Sequence, residues 1–113
     1  MTFEEIKALD HQYVMQSYGR FDVAVDHGRG ATLWDTQGRE YIDFTSGIGV
    51  CSLGYADEGW VNAITEQAGK LGHISNLFYA EPYVKAAEKL CRKAGMSNVF
   101  FANSGAESNE GLI

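Results

Sequence analysis

The residues with the clearest chemical potential are Ser104, Gly105 and Ala106. They follow a short run of strand-forming residues, Val99 to Ala102, and precede an acidic segment that begins with Glu107. This order predicts a strand, a tight turn and the first turn of a helix. The first backbone N–H groups of a helix have no partner inside it and carry the positive end of the helix dipole. The turn could therefore bind an anion, best of all a phosphate, and glycine at position 105 would let the ligand approach the backbone closely.

A simpler interpretation of the same residues is a helix that follows a strand and is capped by Ser104 alone. Helix caps are far commoner than phosphate sites, so the local sequence on its own favours the cap. The rest of the chain has to decide between the two.

The composition excludes several classes of partner. Of the 113 residues, 45% are hydrophobic and 21% charged, which predicts one small globular domain with a modest core. The net charge of −6 argues against nucleic acid or an anionic membrane surface. No apolar run is long enough to span a membrane, and the acidic start is unlike a signal peptide. Two isolated cysteines, Cys51 and Cys91, suit a reducing cytoplasm, and the three histidines show no spacing typical of metal ligands.

The first half of the chain predicts a helix followed by antiparallel strands. Thr2 and Glu5 fit a capping box, and apolar residues recur after them at helical spacing. Two strand-like runs then flank a turn in which Gly38 suits a left-handed position. The predicted elements are a helix over 3–16, a strand over 23–25 and a hairpin with arms at 31–34 and 40–44.

The second half predicts the start of an α/β domain. The glycine-punctuated segment 45–54 does not fit a dinucleotide site, and we interpret it as a loop that passes close to other backbone. One helix is expected from Asp57 to about Gly69 or Gly72, and another from the turn that contains Pro82, with Cys91 on its buried stripe. Helix, loop, helix, strand, turn and helix is the order of a layered α/β domain, whose ligands bind at the carboxyl ends of strands. Because the sequence stops one turn into a helix, we interpret it as part of a larger protein.

An ordered set of short runs carries a resemblance to a known family. The runs are Tyr18-Gly19-Arg20-Phe21, Leu33-Trp34-Asp35, Tyr41-Ile42-Asp43-Phe44, Ser46-Gly47-Ile48, Leu53-Gly54, His73 to Pro82 and Phe101 to Glu107. From Tyr18 to Ile113 the chain resembles the N-terminal quarter of a class III pyridoxal-phosphate-dependent aminotransferase. The resemblance implies the α/β architecture called fold type I, as a homodimer with its active sites at the subunit interface. It further implies the N-terminal part of the small domain over 1–47 and the beginning of the large, pyridoxal-phosphate-binding domain over 48–113.

The resemblance also implies an enzyme that moves an amino group from a small amino acid to a 2-oxo acid. Within the class, the run from Ser75 to Tyr79 is most similar to the branch that uses N2-acetylornithine and 2-oxoglutarate in arginine biosynthesis. Enzymes for ornithine, succinylornithine or 4-aminobutyrate are the alternatives inside the class. A non-enzymatic, phosphate-binding α/β domain is the alternative outside it.

The resemblance implies roles for individual residues. Gly105 and Ala106 match the positions whose backbone N–H groups hold the cofactor phosphate, with Ser104 beside them. Tyr18 matches a tyrosine that faces the substrate in the ornithine enzymes. Ile48 falls where those enzymes carry a second such tyrosine, and an apolar residue there suits a substrate whose amine is masked by an acyl group. The Schiff-base lysine, the aspartate on the pyridinium nitrogen and the arginine for the substrate carboxylate lie beyond these residues in the family, so the 113 residues alone are expected to be inactive.

The chain departs from the family pattern in two places. Asp22 stands where relatives usually carry proline. The segment 54–58 is Gly-Tyr-Ala-Asp-Glu, where relatives usually carry Gly-His-x-His-Pro. We interpret both as lineage variation at the start of a strand and of a helix.

Overall fold

The computed structural model describes residues 1–113 as two compact units, Met1–Lys70 and Leu71–Ile113. The first unit contains a helix, a three-stranded sheet, a short left-handed turn and a second helix, and the second unit contains two helices joined by irregular segments. The elements are α1 (Phe3–Tyr13), β1 (Val25–Arg29), β2 (Thr32–Asp35), β3 (Glu40–Ile42), α2 (Ser46–Gly49), α3 (Glu58–Lys70), α4 (Glu81–Ala94) and α5 (Gly105–Leu112). The boundary predicted after residue 47 concerns the domains of a larger protein, and it stays a prediction.

Helix α1 begins with the predicted capping box. The Thr2 N–H donates to Glu5 Oε2 at 2.8 Å, and the Glu5 N–H donates to Thr2 Oγ1 at 3.2 Å. The helix ends at Tyr13, three residues before the predicted end, because Val14 takes an extended backbone. The Gln16 side chain then donates to the carbonyl oxygen of Val14, an acceptor that a longer helix would have used, and also to that of Asp10.

The sheet is an antiparallel meander in the order β1-β2-β3, and the predicted hairpin is its second half. Gly38 has a φ of 79°, as the turn chemistry required. The strand predicted over 23–25 is wrong in position, because β1 begins at Val25 and continues to Arg29. The turn between β1 and β2 lies at Gly30 and Ala31, and antiparallel pairing around that turn draws the preceding glycine-marked segment into the strand.

Helices α3 and α4 confirm the two helices predicted in the middle of the chain. Pro82 lies in the first turn of α4, and Gly95 ends the helix with a φ of 67°. The strand predicted at Val99–Ala102 is wrong, since a strand needs a partner and no segment of the second unit pairs with it. Cys91, predicted to be buried, is only half-buried, because no second layer lies over the apolar stripe of α4.

The largest correction concerns the core. No hydrophobic side chain of the chain is buried, and Trp60 on α3 is 58% exposed. The accessible surface is 10005 Å², whereas two separate compact bodies of these lengths would expose only about 7,300 Å². The modest core expected from composition is therefore missing, and the apolar stripes of the helices stay uncovered. No helix combines the length and the apolar character that crossing a membrane requires.

Candidate functional site

The turn that precedes α5 has the geometry of a capped helix start. Ser104 takes an extended backbone, with φ −145° and ψ 162°, and its Oγ accepts a hydrogen bond of 3.2 Å from the Glu107 N–H. The same hydroxyl donates to Glu107 Oε2 at 3.2 Å. The Ser104 hydroxyl thus acts as both donor and acceptor within the first turn of α5, which makes this side chain a helix cap.

The two residues after Ser104 leave their donors open. The N–H groups of Gly105 and Ala106 are the first two of α5, and neither donates a hydrogen bond to another residue. Both residues are exposed, and a Cβ atom built on Gly105 would meet no atom within 4 Å. Two exposed N–H groups without partners at the positive end of a helix dipole are suited to a phosphate group. The groups left available to an anion at this helix start are therefore the backbone N–H groups of 105 and 106, whereas the hydroxyl of Ser104 is already hydrogen-bonded.

A second unusual feature is the left-handed turn Ser46–Gly49. Four consecutive residues have positive φ: 48° at Ser46, 61° at Gly47, 63° at Ile48 and 74° at Gly49. Left-handed backbone costs roughly 1–2 kcal/mol for each residue that carries a Cβ atom, and Ile48 is in addition β-branched. Strain of this kind persists only where neighbouring structure holds it, and it gathers at functional sites. The Ile48 side chain is 94% exposed, so burial of Ile48 does not hold the turn.

The carboxylate of Asp43 supplies the support on one side of this turn. Its Oδ1 accepts hydrogen bonds from the Thr45 N–H at 2.7 Å, from Thr45 Oγ1 at 2.6 Å and from the Ser46 N–H at 3.2 Å. Its Oδ2 accepts a hydrogen bond of 2.6 Å from the hydroxyl of Tyr55. The bonds from Thr45 and Tyr55 lower the pKa of Asp43 to about 2, and the bond to Asp43 raises the pKa of Tyr55 to about 12. The pair therefore keeps one charge state, carboxylate and neutral phenol, across the physiological range.

Tyr55 is itself fixed to the sheet. Its N–H and C=O exchange hydrogen bonds of 2.8 and 2.9 Å with Gly30. The ring covers Gly28 so closely that a Cβ atom there would lie 2.7 Å from Tyr55 Cγ. On the other side, the Asp43 N–H donates to the carbonyl oxygen of Ala31 at 2.8 Å. Both ends of the segment 43–55 are thus tied to the β1–β2 turn, and the Asp43–Tyr55 hydrogen bond joins them.

Asp35 forms a comparable network with a different purpose. Its side chain accepts hydrogen bonds from the N–H groups of Gln37 and Arg39, from Arg39 Nε and from the Tyr41 hydroxyl, all at 2.7–2.9 Å. Asp35 is 3% exposed. Burial alone would raise the pKa of this carboxyl, but the hydrogen bonds, first those from Arg39, lower it to about 2. The network braces the β2–β3 turn and does not contact the turn Ser46–Gly49.

Tyr18 lines a cavity of about 480 Å³ between α1 and the segment before β1. The cations at this cavity are paired, Lys7 with Asp22 at 2.7 Å and Arg20 with Asp10 at 3.2 Å. Tyr18 is 76% exposed and its hydroxyl makes no hydrogen bond, so it is available to a ligand.

Residues 13–113 match the family described as aminotransferase class III. The chain belongs to the class III aminotransferases. An acetylornithine aminotransferase from Haemophilus ducreyi is 54% identical over 113 residues, which are 100% of this chain and 29% of the relative. These residues therefore span less than a third of the length of that relative.

Two solved structures show the fold. An acetylornithine aminotransferase from Elizabethkingia anophelis superposes with a TM-score of 0.94 at 30% identity, over 99% of this chain and 29% of that one. An ornithine aminotransferase from Toxoplasma gondii ME49 superposes with a TM-score of 0.93 at 32% identity, over 99% and 26%. The predicted fold class, the N-terminal part of a pyridoxal-phosphate-dependent aminotransferase fold, is thereby confirmed. Enzymes of this class depend on pyridoxal phosphate.

The structure distributes the predicted site residues over its two units. Ser104, Gly105 and Ala106 lie together at the start of α5 in the second unit. Tyr18 and Ile48 lie in the first unit, Tyr18 at the cavity and Ile48 outside it. Sequence reasoning missed the hydrogen-bonded pair of Asp43 and Tyr55. One signal was present for Asp43 alone, since aspartate side chains commonly bond the backbone two residues on, which here is the N–H of Thr45.

Proposed function

We propose that these residues are the N-terminal part of an acetylornithine aminotransferase, which transfers the amino group of N2-acetylornithine to 2-oxoglutarate in arginine biosynthesis. The observation that carries the proposal is the 54% identity with the enzyme of that name over every residue of this chain. The free N–H pair at the start of α5 agrees with it, because this is where the chain can hold the phosphate of the cofactor.

In the proposed mechanism the residues of this chain bind and orient the cofactor and the substrate. They do not make or break covalent bonds. The backbone N–H groups of Gly105 and Ala106 hold the phosphate of pyridoxal phosphate, and the Ser104 hydroxyl keeps the start of α5 capped so that both donors point the same way. When bound, the cofactor supplies an aldehyde that takes up the amino group and a ring that acts as an electron sink. Proton transfer and the grip on the substrate carboxylate are functions for side chains of the longer polypeptide.

The chain's contribution to substrate choice is proposed for Tyr18 and Ile48. Both side chains are largely exposed. An apolar, branched side chain at 48 gives an acyl group a surface to pack against, and it offers no hydrogen bond to a free amine. Tyr18 carries a free hydroxyl that can bind a polar part of the substrate.

We further propose a cytoplasmic homodimer with no nucleic-acid or membrane partner. The net charge of −6 supports the absence of nucleic acid and anionic lipid as partners. The uncovered apolar stripes of α3 and α4 agree with a chain whose helices are covered by further polypeptide, from the same subunit or from a second one. Light scattering on the full-length enzyme tests the dimer, and a monomer at micromolar concentration would contradict it.

The test of the proposed function is an amino-donor assay on a full-length enzyme that carries these residues. We expect kcat/KM for N2-acetylornithine to exceed that for ornithine, with 2-oxoglutarate as acceptor and pyridoxal phosphate bound. The likeness to the ornithine aminotransferase from Toxoplasma gondii ME49 makes free ornithine the second candidate. Preference for free ornithine would reject the proposed substrate, and a protein that binds no pyridoxal phosphate would reject the proposed activity altogether.

A further inference from the structure

The turn Ser46–Gly49 poses a question that the proposed function does not answer. A β-branched residue, Ile48, is held at a φ of 63° and a ψ of 53° in a run of four left-handed residues. Glycine or asparagine would adopt this backbone without the same strain. The side chain gains no buried contact in return, since it is almost fully exposed. Something outside the turn must keep it in this conformation.

The turn's own hydrogen bonds do not suffice to select this conformation. Within the turn, the Gly49 N–H donates to the Thr45 carbonyl oxygen at 2.9 Å, and the Val50 N–H donates to that of Ser46 at 2.8 Å. Bonds of this spacing form equally in a right-handed turn, which would be unstrained. The Asp43 carboxylate adds a constraint from outside the turn, because it binds the N–H of Thr45 and of Ser46 immediately before the chain turns and is itself bonded to Tyr55.

The direction of that carboxylate is set in turn by Tyr55. The phenol donates to Asp43 Oδ2 at 2.6 Å and leaves Oδ1 to the three donors of the turn. Tyr55 cannot shift easily, because its backbone is bonded to Gly30 and its ring lies against Gly28. A continuous series of hydrogen bonds therefore connects the sheet to Tyr55, Tyr55 to Asp43, and Asp43 to the turn that carries Ile48.

We propose that Asp43 and Tyr55 are positioning residues for substrate selection, which hold the left-handed turn so that Ile48 presents its side chain to the acyl group of the substrate. The inference rests on the proposed function, because it takes Ile48 as the residue that meets the substrate. It goes further in assigning the orientation of Ile48 to the hydrogen-bonded pair of Asp43 and Tyr55, which act through the turn and not by binding the substrate.

The chain offers a matched control for this pair. Tyr41 donates to Asp35 Oδ2 at 2.9 Å, as Tyr55 donates to Asp43 Oδ2. Both are phenol–carboxylate hydrogen bonds of half-buried tyrosines, and both are anchored in the same sheet. Only the hydrogen bond between Tyr55 and Asp43 lies beside the turn that carries Ile48. Tyr41→Phe and Tyr55→Phe remove equivalent bonds, so a difference between them reports on the turn.

The experiment measures the ratio of kcat/KM for N2-acetylornithine to that for ornithine in the full-length holoenzyme, together with the thermal midpoint of each variant. Tyr55→Phe should lower the ratio about three- to tenfold, mainly through a higher KM for N2-acetylornithine. Tyr41→Phe should lower the thermal midpoint by a similar amount and leave the ratio unchanged. Should Tyr55→Phe fail to fold, Thr45→Val removes one bond to the same carboxylate at an exposed position, and it should lower the ratio in the same direction.

Ile48→Ala separates the two ways in which the idea can fail. If Ile48→Ala changes the ratio and Tyr55→Phe does not, the positioning role is overturned while the proposed function stands. If Ile48→Ala leaves the ratio unchanged, Ile48 does not meet the substrate, and its proposed role and the positioning role fall together. Equal changes of the ratio in Tyr41→Phe and Tyr55→Phe would show a general effect of stability and would also overturn the inference.

Discussion

Replacing Gly105 by proline should remove one phosphate donor and leave the helix start intact. Proline has no N–H and is favoured at the first position of a helix, which is the position of Gly105. The residue before a proline must be extended, and Ser104 already has φ −145° and ψ 162°. There is also room for the Cβ atom, which would meet nothing within 4 Å at position 105. The change is therefore close to a deletion of a single hydrogen-bond donor.

Its expected magnitude follows from the kind of bond that is lost. A hydrogen bond to a charged group contributes about 1.5–3 kcal/mol, so the dissociation constant for pyridoxal phosphate should rise roughly 10- to 150-fold. Gly105→Ala is the matched control, because it adds a Cβ atom at the same place and keeps the N–H. The quantity to compare is the ratio of the two dissociation constants, measured by titrating each full-length apoenzyme with the cofactor and following its visible absorbance.

A second ligand sharpens this test. Pyridoxal lacks the phosphate, so it should bind the proline and the alanine variants with the same affinity. Circular dichroism should show equal helix content in both. If the proline variant binds pyridoxal phosphate within about twofold of the alanine variant, far below the loss expected for a charged bond, the N–H of residue 105 is not a phosphate donor. An equal loss for pyridoxal and pyridoxal phosphate would equally refute the reasoning, since the damage would then not lie at the phosphate.

Three further predictions concern the first unit, and all are to be measured in the full-length enzyme. Gly54→Ala should lower the free energy of unfolding by about 2 kcal/mol or more, seen as a lower urea midpoint, because φ is +80° and the new Cβ would lie 2.9 Å from Gly30 Cα. Thr2→Ala should speed amide exchange in α1 roughly fivefold, the equivalent of about 1 kcal/mol for a lost cap; an unchanged rate would contradict the capping box. Because the pKa of Asp35 falls from 3.8 to about 2 on folding, its stabilisation is complete above pH 3.8 and is lost as the pH drops towards 2. Asp35→Asn should make that acid-induced loss of stability smaller without abolishing it, because the pKa of Asp43 is also lowered to about 2 and Asp43 contributes in the same pH range. A loss of unchanged size in a pH titration of unfolding would show that Asp35 does not contribute.

Local chemistry was readable from the sequence wherever the relevant partners are close in the chain. The reciprocal bonds of Thr2 and Glu5 and the left-handed Gly38 were both predicted and both observed. Each depends on at most four neighbouring residues, so spacing alone carries the information.

The predictions that failed depend on partners that the spacing does not reveal. Val99–Ala102 has the composition of a strand, yet a strand exists only through its neighbour. Cys91 lies on an apolar stripe, but burial requires a second layer over that stripe. The strand over 23–25 shifted to begin at Val25 because the turn at Gly30 set the pairing. In each case strand pairing or burial was predicted from one segment, although both depend on a second segment that contacts it.

The features of the candidate site likewise fall into those that depend on neighbouring residues, which could be predicted, and those that depend on distant residues, which could not. The cap by Ser104 follows from local sequence, and the structure adds that the open donors belong to Gly105 and Ala106. The link between Asp43 and Tyr55 spans twelve residues and depends on how the sheet brings Gly30 beside Tyr55. No periodicity in the sequence encodes that approach, and only the folded arrangement reveals it.

The buried carboxylate of Asp35 also favours the correct register between β2 and β3. Side chains alternate between the faces of a strand, so sliding β2 by one residue against β3 would carry Asp35 to the opposite face. The carboxylate would then lose the Tyr41 hydroxyl and the Arg39 guanidinium while remaining charged beside a turn. A meander with β2 shifted by one residue would therefore be less stable than the observed one because of this single residue, even in the absence of a hydrophobic core. The selection of this register needs only residues of the β2–β3 hairpin, from Asp35 to Tyr41.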